Sequence, residues 1–316
     1  MRIFPAIDRQ AQIREKADEI SSLYRHPDSL IIIWHQGKVL VEDNHLKYYR
    51  AAELNIYDNE LSEPLYLGQN EAQFLFVRTL QQVSGIFEDA ELVDLRTAGL
   101  FLDDHQLGLL FYAQGLLNWH RSHGFCANCG HRTELASAGH SRICRNEDCS
   151  KNHFPRIEPA VIFSIINNEE AQSKILLARQ ASWDENRYSV LAGFVESGET
   201  LEHAVAREAE EEVGVKVGEV KYIASQPWPF PSSLMLGFES VSEEFDIQLN
   251  DEEIEKAIWV TADELKQHIA DKKVKLPFSV SISWHLIDRW YRDQTGQSLK
   301  SLKQQKALKP QKTLKS

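Results

Sequence analysis

The stretch over residues 193–215, GFVESGETLEHAVAREAEEEVGV, constrains this chain more than any other. Leu201, Ala204, Val205, Ala209 and Val213 recur at steps of three and four, so the spacing predicts a helix over residues 200–213. On that helix Glu208, Glu211 and Glu212 stand at i, i+3 and i+4 and share one face. Like charges that close repel, and nothing about fold stability asks for them. A hard divalent cation reverses the sign, because Mg²⁺ or Mn²⁺ takes carboxylate oxygens and bridges to phosphate oxygens. Gly193 and Gly198 allow a tight loop before the helix, and Gly214 ends it. Arg207 follows Glu199 by eight residues, a distance that lets a loop carboxylate pair with the helix. A solvated acidic helix accounts for the Glu run but not for the glycines and Glu199 at fixed offsets.

These fixed points spell G-x5-E-x7-R-E-U-x-E-E-x-G-U, with Ala209 and Val215 in the two apolar slots. The segment resembles a complete Nudix box, the signature of hydrolases that cleave nucleoside diphosphates linked to another moiety.

The chain has 316 residues, enough for two domains or a domain and a half. No apolar run approaches the length of a membrane span, so no membrane partner is expected. The start, MRIFPAIDRQAQIREK, has neither an apolar h-region nor a small-residue cleavage site. A cytoplasmic setting with reduced thiols is therefore expected. The net charge of −12 disfavours long-range attraction to nucleic acid or anionic lipid. A polyanionic substrate must then rely on bound cations and local Arg or Lys.

Residues 1–121 read as an α+β domain without a box of its own. A helix is expected over 8–24, a hairpin over 29–42 turning at Gln36-Gly37-Lys38, strands over 64–68 and 72–79, and a helix over 103–120. On that last helix Leu107, Leu110, Phe111, Gln114, Leu117 and Asn118 track one side. All four cysteines fall in the next segment, 122–156, with the spacing Cys126-x2-Cys129-x14-Cys144-x4-Cys149. Two pairs across a short loop suit one tetrahedral structural Zn²⁺ per chain, and four protein ligands leave no open position. His123, His131, His140 and His153 are nearby substitutes for a ligand; free core thiols or a redox pair are the alternatives.

From 157 to 293 the pattern becomes strand, strand, box helix, strands and closing helices, a mixed sheet sandwiched by helices. Thr261 with Glu264 three residues on predicts a capped helix start. In the tail, 294–316, lysines recur every third residue from Lys300 to Lys315, and a disordered cationic arm is expected.

One further stretch, SQPWPFPSSLM over 225–235, alternates Pro227, Pro229 and Pro231 with Trp228 and Phe230. Such a backbone is extended, stiff and expected not to continue a sheet ladder. It either plugs the core or presents a rigid wall to a planar ligand. Following a Nudix box at this distance, it resembles the hallmark of the NADH pyrophosphatase subfamily of Nudix enzymes. With the cysteine segment and the N-terminal domain, the likeness extends over nearly the whole chain.

The resemblance implies an α+β protein with an N-terminal Nudix-like domain, a zinc ribbon and a C-terminal α/β/α-sandwich Nudix domain. It implies hydrolysis of the diphosphate of NADH and NAD⁺ to AMP and nicotinamide mononucleotide, and members also remove NAD caps from RNA 5′ ends. Two or three Mg²⁺ or Mn²⁺ ions would be held by the Ala192 carbonyl, Glu208, Glu211, Glu212 and Glu253. Glu211 or Glu212 would take the proton of the attacking water. Gln226, Pro227, Trp228, Pro229, Phe230, Pro231, Ser232 and Ser233 would contact the dinucleotide. Phe194 would stack on a base, Phe154 would replace a frequent Tyr, Ser283 would line the pocket, and Arg96 would correspond to an Arg of some members. A homodimer is the family's usual state. A broader ADP-ribose or ADP-sugar pyrophosphatase is the alternative that residues 225–235 oppose; a non-catalytic Nudix sensor is opposed by the intact glutamates.

Overall fold

The apolar runs SLIIIWH and KVLVE fold as the antiparallel pair β1 (Ser29–His35) and β2 (Lys38–Glu42), turning at Gln36-Gly37. The computed structural model describes residues 7–71, 73–88, 90–168, 172–250 and 253–302. They form two units, one of residues 7–157 with 227–233, the other of 158–226 with 234–302.

In the first unit, β3 (His45–Leu46), β4 (Tyr48–Tyr49), β5 (Leu65–Asn70), β6 (Gln73–Thr79) and β7 (Glu91–Asp94) complete a seven-stranded sheet. Its order is β3-β2-β1-β6-β5, with β4 on β1 and β7 on β2, and β1 runs parallel to β6. Helices α1 (Ala17–Tyr24), α2 (Ala51–Leu54), α3 (Leu95–Ala98) and α4 (Asp104–Ser122) accompany it. The helix expected over 8–24 is broken: a 3₁₀ turn at Ala11–Ile13 precedes α1, and Lys16 between them has the non-helical ψ of 81°. The Asp103 carboxylate starts α4 by accepting from the main-chain N–H groups of His105 and Gln106. Ile31, Ile33, Leu40, Tyr66, Phe76 and Phe87 form the core.

The cysteine segment adds β8 (Thr133–Ala136), β9 (Ser141–Cys144) and β10 (Asn152–His153), ordered β10-β9-β8. Two half-buried histidines tie it to the sheet and to α4. His120 Nε2 donates to the Gly139 carbonyl at 2.8 Å while its Nδ1 accepts from Arg142, and His140 Nε2 donates to the Tyr66 carbonyl at 2.8 Å. Burial, the largest cause, pushes both imidazoles down to about 4, so they are neutral at pH 7.

In the second unit, β11 (Glu158–Asn167), β12 (Lys174–Gln180), β13 (Leu191–Phe194), β14 (Val220–Trp228), β15 (Ser233–Val241) and β16 (Ile254–Thr261) form a sheet ordered β14-β15-β11-β12-β16, with β13 on β11. Side chains alternate across it. Val161, Phe163, Ile165 and Leu176 pack with α5 (Leu201–Val213). Ile162, Ile166, Ile175 and Leu177 pack on the opposite face with Leu265 of α6 (Ala262–Ala270) and Leu286, Ile287 and Trp290 of α7 (Ile282–Thr295). This is the expected α/β/α sandwich, including the capping box in which Thr261 and Glu264 bond reciprocally.

Two expectations are corrected. The ladder does not stop before the prolines: β14 continues through Pro227 to Trp228, which it can because it is an edge strand and owes its outer side no N–H. Nor does a free arm begin at Gln294. Leu299 is 4 % exposed within the core of the second unit, and Asp288 of α7 accepts from its main-chain N–H at 2.7 Å. The remaining lysines, from Lys303 on, lie outside the described residues.

Candidate active site

Helix α5 begins at Thr200, whose hydroxyl accepts from His203 N, and ends at Gly214, whose φ of 68° only glycine adopts without strain. Its acidic face is graded in burial. The Glu212 residue is 3 % exposed, the Glu208 side chain 14 % and the Glu211 side chain 56 %. Glu208 lies directly over Gly193 of β13: a Cβ at that glycine would stand 1.9 Å from the Glu208 carboxyl carbon. Any other residue at 193 would push the carboxylate away, so the glycine serves this approach rather than a turn. Ala192 pairs with Ile162 of β11 in the adjacent register position.

Arg207 collects the charges around it. Its guanidinium donates to both Glu199 oxygens at 2.8 and 3.0 Å, to Glu208 at 2.9 Å, to Glu211 at 2.8 Å and to the Phe194 carbonyl at 2.9 Å. Glu199 also accepts from Glu196 N, so the brace expected from the eight-residue spacing is present and closes the loop before α5. Those Arg207 bonds hold the Glu199 carboxyl below its usual range. Glu208 goes the other way: burial first, with the charges of Glu211 and Glu253, outweighs Arg207 and raises its pKa. Glu253 is thus within electrostatic reach of Glu208; it also accepts from Gln180 Nε2 at 2.6 Å. One guanidinium against this many carboxylates leaves excess negative charge on oxygen donors, and that donor set fits a hard divalent cation.

The proline stretch has a divided fate. Trp228 and Phe230 are half-buried, packed edge-to-face at 4.9 Å, with Phe111 of α4 at 6.2 and 6.3 Å from their rings. Arg96 stacks its guanidinium over Phe230 at 4.7 Å, so the structure does bring that arginine to the loop. Pro229 and Ser233 are buried, while Pro227 and Pro231 are exposed and Ser232 is half-buried. Gln226 is fully buried, its Nε2 donating to Val280 O at 2.9 Å and its Oε1 accepting from Ile282 N at 2.7 Å. Both ends of the amide are spent on starting α7. Ser283 is buried against Ser189, Oγ to Oγ 2.6 Å. Two large aromatic side chains, Phe194 at 57 % and Phe154 at 68 %, stand in solvent as stacking surfaces.

The four sulfurs of Cys126, Cys129, Cys144 and Cys149 lie within 4.8 Å of one another. Cys126 and Cys149 are 3.8 Å apart and Cys129 and Cys144 3.4 Å, close to the S···S separation of about 3.8 Å that tetrahedral Zn–S bonds require. Sequence reasoning missed how they are held. Asn128 donates its main-chain N–H to Cys126 and its amide to Cys149; Asn146 donates its main-chain N–H to Cys144 and its amide to Cys129. Each asparagine, two residues after the first cysteine of its pair, thus straps its own pair to the other. His153 Nε2 is 3.2 Å from Cys126 Sγ, a neighbour of the sulfur set rather than a member. His123, His131 and His140 face main-chain carbonyls. The donors fit structural zinc.

The family model described as NUDIX domain matches residues 157–279, that of the NADH pyrophosphatase zinc ribbon domain matches 121–154, and that of the NADH pyrophosphatase-like rudimentary NUDIX domain matches 28–119. The NAD-capped RNA hydrolase NudC of Mycobacterium bovis is 39 % identical over 274 residues, covering 83 % of this chain and 85 % of that protein. Its Mycobacterium tuberculosis counterpart is 38 % identical over the same shares, and human NAD-capped RNA hydrolase NUDT12 is 39 % identical over 202 residues, 61 % of this chain and 43 % of its own. The braced acidic helix, the strapped sulfurs and the likeness running through all three segments agree: the chain belongs to the NADH pyrophosphatase family of Nudix hydrolases.

Proposed function

We propose that this enzyme hydrolyses the diphosphate of NADH and NAD⁺, releasing AMP and nicotinamide mononucleotide, and makes the same cut in NAD-capped RNA. The observation that carries it is the Glu208 carboxyl seated against Gly193, with Glu211 and Glu212 on the same helix. Glu208, Glu211, Glu212, Glu253 and the Ala192 carbonyl would hold Mg²⁺ or Mn²⁺. Bound there, the ions would neutralise the diphosphate, acidify a water and stabilise the leaving phosphate. Arg207 fixes the loop and, through the Phe194 carbonyl, the backbone that presents the Phe194 ring. Glu211, more than half exposed, or the buried Glu212 would take the proton of the attacking water, whichever is not bound to an ion at that moment. The names of the relatives support the RNA substrate. The protein acts in the cytoplasm as a homodimer on this reading; among the described residues no helix is long and apolar enough to cross a membrane.

Incubation with NADH and Mn²⁺, followed by chromatography, tests the proposal. AMP and reduced nicotinamide mononucleotide should appear in equal amounts, and NAD-capped RNA should yield a 5′-monophosphate end. Absence of AMP under both Mg²⁺ and Mn²⁺ would contradict it.

A further inference from the structure

The loop 227–233 poses a hydrogen-bonding problem that its own residues cannot solve. Pro227, Pro229 and Pro231 have no main-chain N–H, so carbonyls outnumber donors within it. One internal bond is made, from Phe230 N to Trp228 O at 2.8 Å. The carbonyls of Pro229 and Pro231 are instead satisfied by a single side chain: Asn118 of α4 donates both hydrogens of its amide, each at 2.9 Å. That assignment fixes which way the amide points, because two carbonyl acceptors admit only the nitrogen. Its oxygen is then committed to Gln114 Nε2, one turn earlier and 2.8 Å away, and Gln114 is itself buried. Phe111 lies on the same side of α4 and packs against both aromatic rings of the loop. A domain with no Nudix box of its own thus dictates the shape of the proline loop.

We propose that Asn118, oriented by Gln114, is a specificity-determining positioning residue: it holds the loop in the form that recognises the nicotinamide half of the dinucleotide. This rests on the NADH-hydrolase reading above and on the sequence resemblance, which implies that residues 226–233 contact the dinucleotide. Selection among diphosphates then depends on α4, and bond cleavage does not. The retained N-terminal domain has a job in this account, that of a bracket for a loop too poor in donors to hold itself.

The experiment compares NADH with ADP-ribose, which has the same diphosphate but no nicotinamide, in the full-length zinc-loaded protein with Mg²⁺. The variants are Asn118→Asp, equal in shape but aiming oxygen at two carbonyls, and Gln114→Glu, which removes the donor that orients Asn118. KM for NADH should rise about tenfold or more in Asn118→Asp and by a smaller factor in Gln114→Glu, equivalent to about 1.4 kcal/mol per decade. The kcat for NADH and both constants for ADP-ribose should stay within about threefold, so the preference for NADH collapses. A merely structural role would lower turnover of both substrates together, and that result overturns the proposal. So does an unchanged KM for NADH in a folded Asn118→Asp protein, or in folded Gln114→Glu if the first variant does not fold. Wild-type protein that fails to cleave NADH overturns the parent reading and this proposal together; wild-type cleavage with indifferent variants overturns this one alone.

Discussion

The cysteine centre fits a structural metal, the acidic helix on the proposed reading holds catalytic ones, and the two treat their donor atoms in opposite ways. Around the sulfurs the hydrogen-bond donors are main-chain N–H groups, two asparagine amides and an imidazole, and all four sulfurs point at one spot. Main-chain and asparagine amide donors carry no charge and steady the thiolates without competing for theirs, and a closed set of four leaves nothing for a substrate. Around the carboxylates a full cation, Arg207, is shared among Glu199, Glu208 and Glu211. Burial there runs from Glu212 to the exposed Glu211, so the site stays open at one end. On the proposed reading, the centre meant to last is closed by uncharged straps and the one meant to react is left open and balanced by charge.

The sharpest way to break that contrast is Glu212→Gln, which keeps the shape of a buried side chain and removes its charge. We expect kcat for NADH to fall by at least about a hundredfold, with zinc content and melting temperature unchanged. Near-normal turnover would remove Glu212 from the machinery. On the other side, replacing Asn128 and Asn146 by alanine should speed zinc loss to a chelator by about tenfold to a hundredfold. NADH turnover of the zinc-loaded protein should stay within about twofold. Equal loss of zinc from wild type and variant would show that the straps are ornamental. Arg207→Lys is a smaller probe, because an ammonium cannot span two Glu199 oxygens, Glu208, Glu211 and the Phe194 carbonyl. A fall of about tenfold in kcat/KM is expected, read by steady-state kinetics.

The smallest effect concerns acid. His120 and His140 have folded pKa values of about 4 against 6.5 for a free histidine. Between those values the unfolded chain binds protons that the folded unit refuses, so stability is full above about pH 6.5 and declines as pH falls toward 4. Thermal melts across that window should show the decline, and His140→Gln should make it shallower, His120 supplying the rest.

Much of this was legible because it is local. The positions of Glu208, Glu211 and Glu212, the Arg207 brace, the Thr261 cap and the cysteine pairs follow from spacing on one helix or one turn. What escaped depends on partners far along the chain. Gln226 and Ser283 sit in segments whose neighbours suggest a pocket, yet their burial is decided by Val280, Ile282 and Ser189. Asn118 was visible as one polar position on the inner side of a helix, but its partners at Pro229 and Pro231 are more than a hundred residues away. The end of β14 was missed because proline forbids an interior strand and not an edge, and edge position is a property of the whole sheet.

On the proposed reading, α5 gathers divalent cations beside a diphosphate. Mn²⁺ titration followed by electron paramagnetic resonance, with ADP-ribose present, tests it most directly on wild type and on the Glu208→Gln, Glu211→Gln, Glu212→Gln triple variant. The wild-type chain should bind about two or three Mn²⁺ tightly, and the variant should lose them while its zinc remains. Equal Mn²⁺ binding by the two proteins would contradict it.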